Sequence, residues 1–116
     1  MSDPNCIFCK IAAKQIPSTI VHEDEHVVAF KDIAPQAPVH LIIIPREHFA
    51  GLNELTETNA VALSRVGLVA KSLAERFGLE KSGWRLVANC GSDAGQTVFH
   101  LHFHLLGGAP MGGRMV

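Results

Sequence analysis

The run His100-Leu101-His102-Phe103-His104-Leu105 alternates imidazole and apolar side chains without a break. Side chains of a strand point to opposite faces in turn. This stretch is therefore expected to be a strand with two unlike faces. Leu101, Phe103 and Leu105 need a core, and His100, His102 and His104 need solvent, a ligand or each other. A slip of one residue would bury the imidazoles and expose the apolar set, so the register is strongly specified. The chain is expected to build a sheet with its core, and a long helix, on one side of this strand and its chemistry on the other.

The rest of the sequence supplies the partners. A short helix is expected from about Asn5 to Lys14, started by Asp3 and Pro4 and ended at Ile16-Pro17. Thr19 to His22 and Val27 to Lys31 read as a hairpin around Asp24-Glu25, and Val39 to Ile44 as a central strand. Thr56 is placed to cap the long helix, which runs to about Phe77 with Leu63, Val66, Ala70, Leu73 and Phe77 on one face and Gly78 at its stop. Trp84 to Asn89 is a fourth strand, Gly91 to Gln96 a turn, and His100 to Leu106 the fifth strand. Strands in antiparallel hairpins with segregated helices make an α+β fold: a five-stranded antiparallel sheet with one long and one short helix. A length of 116 residues suits a single domain over 1–116, with a core of about 5–108 and a tail over 109–116.

Hydrophobic residues make up 47% of the chain, enough to bury a core. A net charge of -1 provides no basic stripe, which argues against nucleic acid as a partner. No apolar run approaches the ~18 residues of a membrane span, and MSDPNCIFCK lacks the pattern of a secretory signal. The cytoplasm is the expected compartment. Three cysteines argue against a disulfide framework, and Cys6-x-x-Cys9 in a reducing compartment suggests a metal or redox site.

Two chemistries suit the histidine strand. Same-face imidazoles about 6.6–7 Å apart along a strand can converge on a metal ion. Alternatively, a neutral imidazole with one nitrogen tied to an acceptor and the other free can attack a phosphorus or acyl centre. His102, flanked on both sides, is the natural nucleophile. Just upstream, Gly91-Ser-Asp-Ala-Gly95-Gln96-Thr97 is a turn whose glycines let backbone N–H groups approach an anion, with a hydroxyl at its end. That combination favours a phosphate site.

The segments FCKIAAKQIPS, VVAFKDIAPQAPVHLIIIPREH and GWRLVANCGSDAGQTVFHLHFHLLGG together resemble the nucleotide-binding branch of the histidine triad family. The resemblance implies a homodimer whose protomers join sheets into one continuous surface. It implies binding of purine nucleoside monophosphates and hydrolysis of their phosphoramidates through a nucleotidyl-histidine on His102. No cofactor is required for that catalysis. His100, His104 and His40 complete the histidine cluster by matched position. Asp32 would hold the ribose hydroxyls, and Ile33 would line the base pocket with Phe8, Ile11, Ile16 and Phe30. Asn89, Gly95, Gln96 and Thr97 would surround the phosphate and leaving group. Threonine stands where the family often has serine and keeps the hydroxyl.

Some members of the family carry zinc on two such cysteines, a histidine placed like His48, and the first triad histidine. The implied set is Cys6, Cys9, His48 and His100, a closed structural tetrahedron. The resemblance fades after Gly108, where APMGGRMV lacks the longer or aromatic-bearing tail of some relatives. Three rivals stand beside this reading: a dinucleoside polyphosphate hydrolase of the same superfamily, a nucleotide-binding regulatory module with incidental activity, and a catalytic metallohydrolase.

Overall fold

The computed structural model describes residues 3–113. The last three residues of the expected tail lie outside the described residues. Two helices and five strands follow in the order α1 (Ile7–Ala12), β1 (Ile20–Glu23), β2 (Val27–Lys31), β3 (Val39–Pro45), α2 (Val61–Arg76), β4 (Trp84–Val87) and β5 (Phe103–Gly107). All strand pairs are antiparallel, in the spatial order β1-β2-β3-β5-β4. The last strand thus inserts between β3 and β4, with His104 level with Ile42 on one side and Val87 on the other.

Local chemistry explains the bounds, which differ in places from the expectation. Asp3 makes a turn before α1, accepting the Asn5 N–H at 2.8 Å on its side chain. The helix cap itself is the Cys6 thiol, which accepts the Cys9 N–H at 3.4 Å. Lys14 adopts a left-handed φ of 61°, and the Gln15 N–H reaches back to the Lys10 carbonyl at 2.8 Å. This stops α1 at Ala12, ahead of Ile16-Pro17. Asp24 shapes the first hairpin by accepting the N–H groups of His26 and Val27 at 2.7 and 2.8 Å.

Thr56 caps a separate turn instead of α2. Its hydroxyl accepts the Asn59 N–H at 3.1 Å, while the Asn59 side chain accepts the Thr56 N–H at 2.7 Å. Bonds of the i to i+3 type then lead into α2, which begins at Val61. The fourth strand ends at Val87, two residues before the expected Asn89.

The sheet separates two cores. Val27, Ala29, Leu41, Ile43 and Leu105 pack under Val66, Val69, Ala70 and Leu73 of α2. Val28, Phe30, Ile42 and Ile44 pack on the opposite face with Cys6, Phe8, Cys9 and Ile11. Leu101 joins Phe49 and Ala62 near the start of α2. The apolar half of the alternation therefore lies where its period places it. Gly107 is needed for close approach, since a Cβ there would lie 2.8 Å from a methyl of buried Leu79.

β5 starts at Phe103 and not at His100. Phe103 is the last residue paired with β3, opposite Ile43. Upstream the backbone finds other partners: Leu101 N–H donates to the Phe49 carbonyl at 2.8 Å, and the His100 carbonyl accepts from the His102 ring at 2.8 Å. His100, Leu101 and His102 are all buried, so this segment is covered on both sides. Departure from the ladder lets His100 and His102 serve different sites.

Candidate active site

Each histidine of the run has its own environment. His102 is buried, with the edge of Phe8 against its ring at a centroid distance of 5.0 Å. Its Nδ1 lies 2.8 Å from the His100 carbonyl oxygen. A carbonyl only accepts, so Nδ1 carries the proton and the neutral ring keeps its lone pair on Nε2. That is the protonation pattern a nucleophilic imidazole requires.

His104 sits 5.2 Å from His102 by ring centroids and belongs to a hydrogen-bond chain. The Gln36 N–H donates to His40 Nδ1 at 2.9 Å. The neutral His40 ring therefore carries its proton on Nε2, which lies 2.9 Å from His104 Nδ1. His104 Nδ1 then accepts, leaving Nε2–H as its donor. Burial and the neighbouring His102 and His40 push the His104 imidazole down, against a smaller pull from Asp32, which keeps it neutral near pH 7. Asp32 Oδ2 lies 3.3 Å from His40 Nε2, and its Oδ1 accepts the Ala34 N–H at 2.8 Å.

Asp32, His40 and His104 also have the composition of a metal triad. Coordination through His40 Nε2 would require the proton on Nδ1, where the Gln36 backbone N–H already donates. Two donors cannot face each other, so this cluster is built as a proton-ordered chain.

The second cluster has the opposite character. His100 Nε2 donates to the Pro45 carbonyl at 2.7 Å, so its Nδ1 is a free lone pair. That nitrogen lies 3.1 Å from His48 Nδ1, 3.4 Å from Cys6 Sγ and 3.5 Å from Cys9 Sγ, and Cys9 Sγ lies 3.4 Å from His48 Nδ1. A zinc tetrahedron with ordinary bond lengths has edges of about 3.3–3.7 Å. The donor set fits such an ion, with four protein ligands and no open position; the sulfur–nitrogen spacings fall in that range and the His48–His100 pair is slightly closer. Burial pushes the His100 imidazole down to about 4, against the Pro45 bond, with His48 and His102 pushing the same way. Burial also raises the Cys9 thiol, a bond from the Asp3 N–H opposes it, and Cys6 adds to the rise.

The other expected residues divide. Phe8, Ile11 and Phe30 form one buried cluster with Ile16 against it, but Ile33 stands apart, 98% exposed. Asn89 lines a cleft of about 550 Å³ with Gln36, His40, Arg85, Val87 and His104, which Pro110 and Met111 of the tail also border. Thr97 and Gly95 are exposed at the mouth of the glycine turn. Gln96 is buried, and its amide is spent inside the protein. It accepts the Gly91 N–H at 2.9 Å and donates to the carbonyls of Ala50 and Val98 at 2.7 and 3.1 Å. It clamps the turn to the segment after β3.

Sequence reasoning missed the backbone partners: the Pro45, Phe49 and His100 carbonyls and the Gln36 N–H. Backbone groups are the same at every residue, so they leave no signal. Arg85 and Val87 were also missed, although Val87 faces His104 once β4 is paired with β5.

Comparison with known proteins places the fold. The family described as scavenger mRNA decapping enzyme C-term binding matches residues 5–115. A purine nucleoside phosphoramidase of Escherichia coli (strain K12) is 45% identical over 106 residues, covering 91% of this chain and 89% of that protein. The solved structure of a HIT family hydrolase from Clostridium thermocellum superposes with a TM-score of 0.96 at 52% identity, covering 99% of this chain and all of that one. The chain belongs to the histidine triad family. Another relative, the 14 kDa zinc-binding protein of Zea mays, is 47% identical over 113 residues, covering 96% of this chain and 88% of that protein. Among the described residues, no helix of this family member is long and apolar enough to cross a membrane.

Proposed function

We propose that this protein hydrolyses the P–N bond of purine nucleoside 5′-phosphoramidates through a nucleotidyl-histidine on His102. The observation that carries the proposal is the His102 ring, with Nδ1–H bonded to the His100 carbonyl at 2.8 Å and Nε2 left as a lone pair. The name of the Escherichia coli relative supports the substrate class.

The steps follow from the site. His102 Nε2 attacks phosphorus and the P–N bond breaks. The departing amine takes up one proton, and the proposal assigns its supply to the Nε2–H of His104 or the Thr97 hydroxyl. The ring of the nucleotidyl-histidine is cationic, and its Nδ1–H stays on the His100 carbonyl. Water then attacks phosphorus, the His102 N–P bond breaks, and the water's proton restores the donor. Net, one water yields the nucleoside monophosphate and the free amine. Dividing one displacement into two is the gain of covalent catalysis.

In the same proposal Asp32 accepts from the ribose hydroxyls, since a carboxylate has more acceptor sites than the Ala34 N–H occupies. Phe8, Ile11, Ile16 and Phe30 back the base, and Ile33 closes over it from its exposed position. Asn89, Gly95 and Thr97 face the phosphate and leaving group, with Gln96 holding their loop. A zinc ion on Cys6, Cys9, His48 and His100 would stabilise the fold and leaves no position to activate water. A homodimer joined along β4 belongs to the proposal as well, because β4 is an unpaired sheet edge carrying half-exposed Trp84 and Leu86.

The test is a comparison of kcat/KM for an adenosine 5′-phosphoramidate and a diadenosine polyphosphate, with His102→Ala as control. The expected result is preference for the phosphoramidate and loss of turnover in the variant. Preference for the polyphosphate would move the protein to the rival hydrolase class. Normal turnover by His102→Ala would end the mechanism.

A further inference from the structure

The proposed reaction makes no use of the Cys6 and Cys9 thiols or of the His100 ring, yet it depends on the His100 carbonyl. That carbonyl is held from several directions. The His100 ring is fixed at Nε2 by Pro45 and at Nδ1 by the cluster of Cys6, Cys9 and His48. The peptide unit following it is fixed by the Leu101 N–H on the Phe49 carbonyl at 2.8 Å. Pro45, His48 and Phe49 lie on one segment leaving β3, and Cys6 and Cys9 belong to α1 and its cap. Two stretches of chain therefore meet on one residue, whose carbonyl then orients the nucleophile. Phe8, lying between the two cysteines, packs its ring edge-on to both His100 and His102.

We infer that His100 is a positioning residue through which the thiol–imidazole cluster fixes the proton of His102 on Nδ1. This rests on the reading of His102 as nucleophile and adds to it a means by which metal loading of the cluster sets reactivity. The geometric reason is direct. With the four donors bound to one ion, the His100 ring and backbone cannot turn independently, and the acceptor for His102 Nδ1–H stays in place. With the donors free, the Pro45 bond is the one strong hydrogen bond on the His100 ring, and only weak thiol and imidazole contacts remain at Nδ1. The Leu101 N–H on Phe49 then holds the peptide unit without support from the ring, the carbonyl orients His102 Nδ1–H less firmly, and the Nε2 lone pair is reserved a smaller share of the time. Loss of one such bond is worth roughly a tenfold change in rate.

The experiment uses the full chain labelled with ¹⁵N-histidine, loaded with Zn²⁺ or stripped by a chelator, with circular dichroism confirming the fold. In the loaded protein the His102 Nδ1–H should give a slowly exchanging resonance. In the stripped protein that resonance should vanish, while kcat falls about tenfold and KM changes less than twofold. Cys6→Ser/Cys9→Ser should behave as stripped in either buffer, and Cys9→His, which keeps four donors, should recover both zinc and the resonance. An unchanged resonance and kcat on stripping would overturn the inference, as would a change in stability or KM alone. Unfolding of both the stripped protein and the serine variant would also overturn it, because the cluster would then serve the whole fold. The resonance is read without turnover, so failure of the phosphoramidase reading would be seen separately, as absence of any His102 adduct in loaded protein.

Discussion

Replacing Leu105 by alanine separates the two faces of β5. Leu105 is fully buried, lies level with Leu41 on β3 and Leu86 on β4, and packs under Val66, Ala70 and Leu73 of α2. Both neighbouring strands are fixed by their ladders, so the site cannot easily collapse around a smaller side chain. Leu→Ala in such a place costs about 3–4 kcal/mol. For a chain of this length that lowers Tm by roughly 12 °C. Urea unfolding at fixed protomer concentration reads the free energy, and an unchanged m value shows that the unfolding unit is the same. The neighbouring His104 and the His102 ring face the other way, so the folded variant should react with phosphoramidate within about twofold of wild type, well below its Tm. His104→Ala should do the reverse, slowing turnover by about a hundredfold and costing less than about 1 kcal/mol. The two-face reasoning fails if Leu105→Ala costs under about 1 kcal/mol, or if the folded variant loses most of its activity.

His104 is held neutral by burial and its imidazole neighbours, so its folded pKa lies below the unfolded 6.5. Its contribution to stability is complete above that value and declines as pH falls through and below it. The urea midpoint should drop between pH 7.5 and 5.5 by more in wild type than in His104→Gln; equal drops would contradict the assignment. Native mass spectrometry should find one zinc per chain, and chelation should lower Tm, whereas a protein that binds no zinc at micromolar metal would refute the tetrahedron. Gln96→Ala strands three backbone groups, which should cost about 1–3 kcal/mol and raise KM through a loosened phosphate turn. A variant with unaltered KM would show that the clamp does not serve the site.

The histidine strand was legible because its alternation carries the fold and the chemistry in one period. Leu105 under α2 follows from it, whereas His40 beside His104 was reached only through the family resemblance. The point where the strand leaves the ladder was not legible, because that depends on which backbone carbonyl reaches Leu101 and His102 first. The long helix was readable from Val66, Ala70 and Leu73, but its start was not: Thr56 has the chemistry of a cap and uses it on a preceding turn. Cys6 and Cys9 show a spacing, but the lone pair that completes their cluster exists only because Pro45 takes the other nitrogen of His100. Ile33 shows the same limit from the other side. The family resemblance placed it in the base pocket, while among the described residues it stands exposed ahead of the bend between Pro35 and Pro38.

The most direct test of the central claim is to mix the protein with an adenosine 5′-phosphoramidate, quench within the first turnover, and map the adduct by mass spectrometry. The account predicts a nucleotidyl group on the peptide containing His102, localised to that residue and absent from His102→Ala. An adduct on another residue, or rapid turnover with no adduct at any time point, would contradict it.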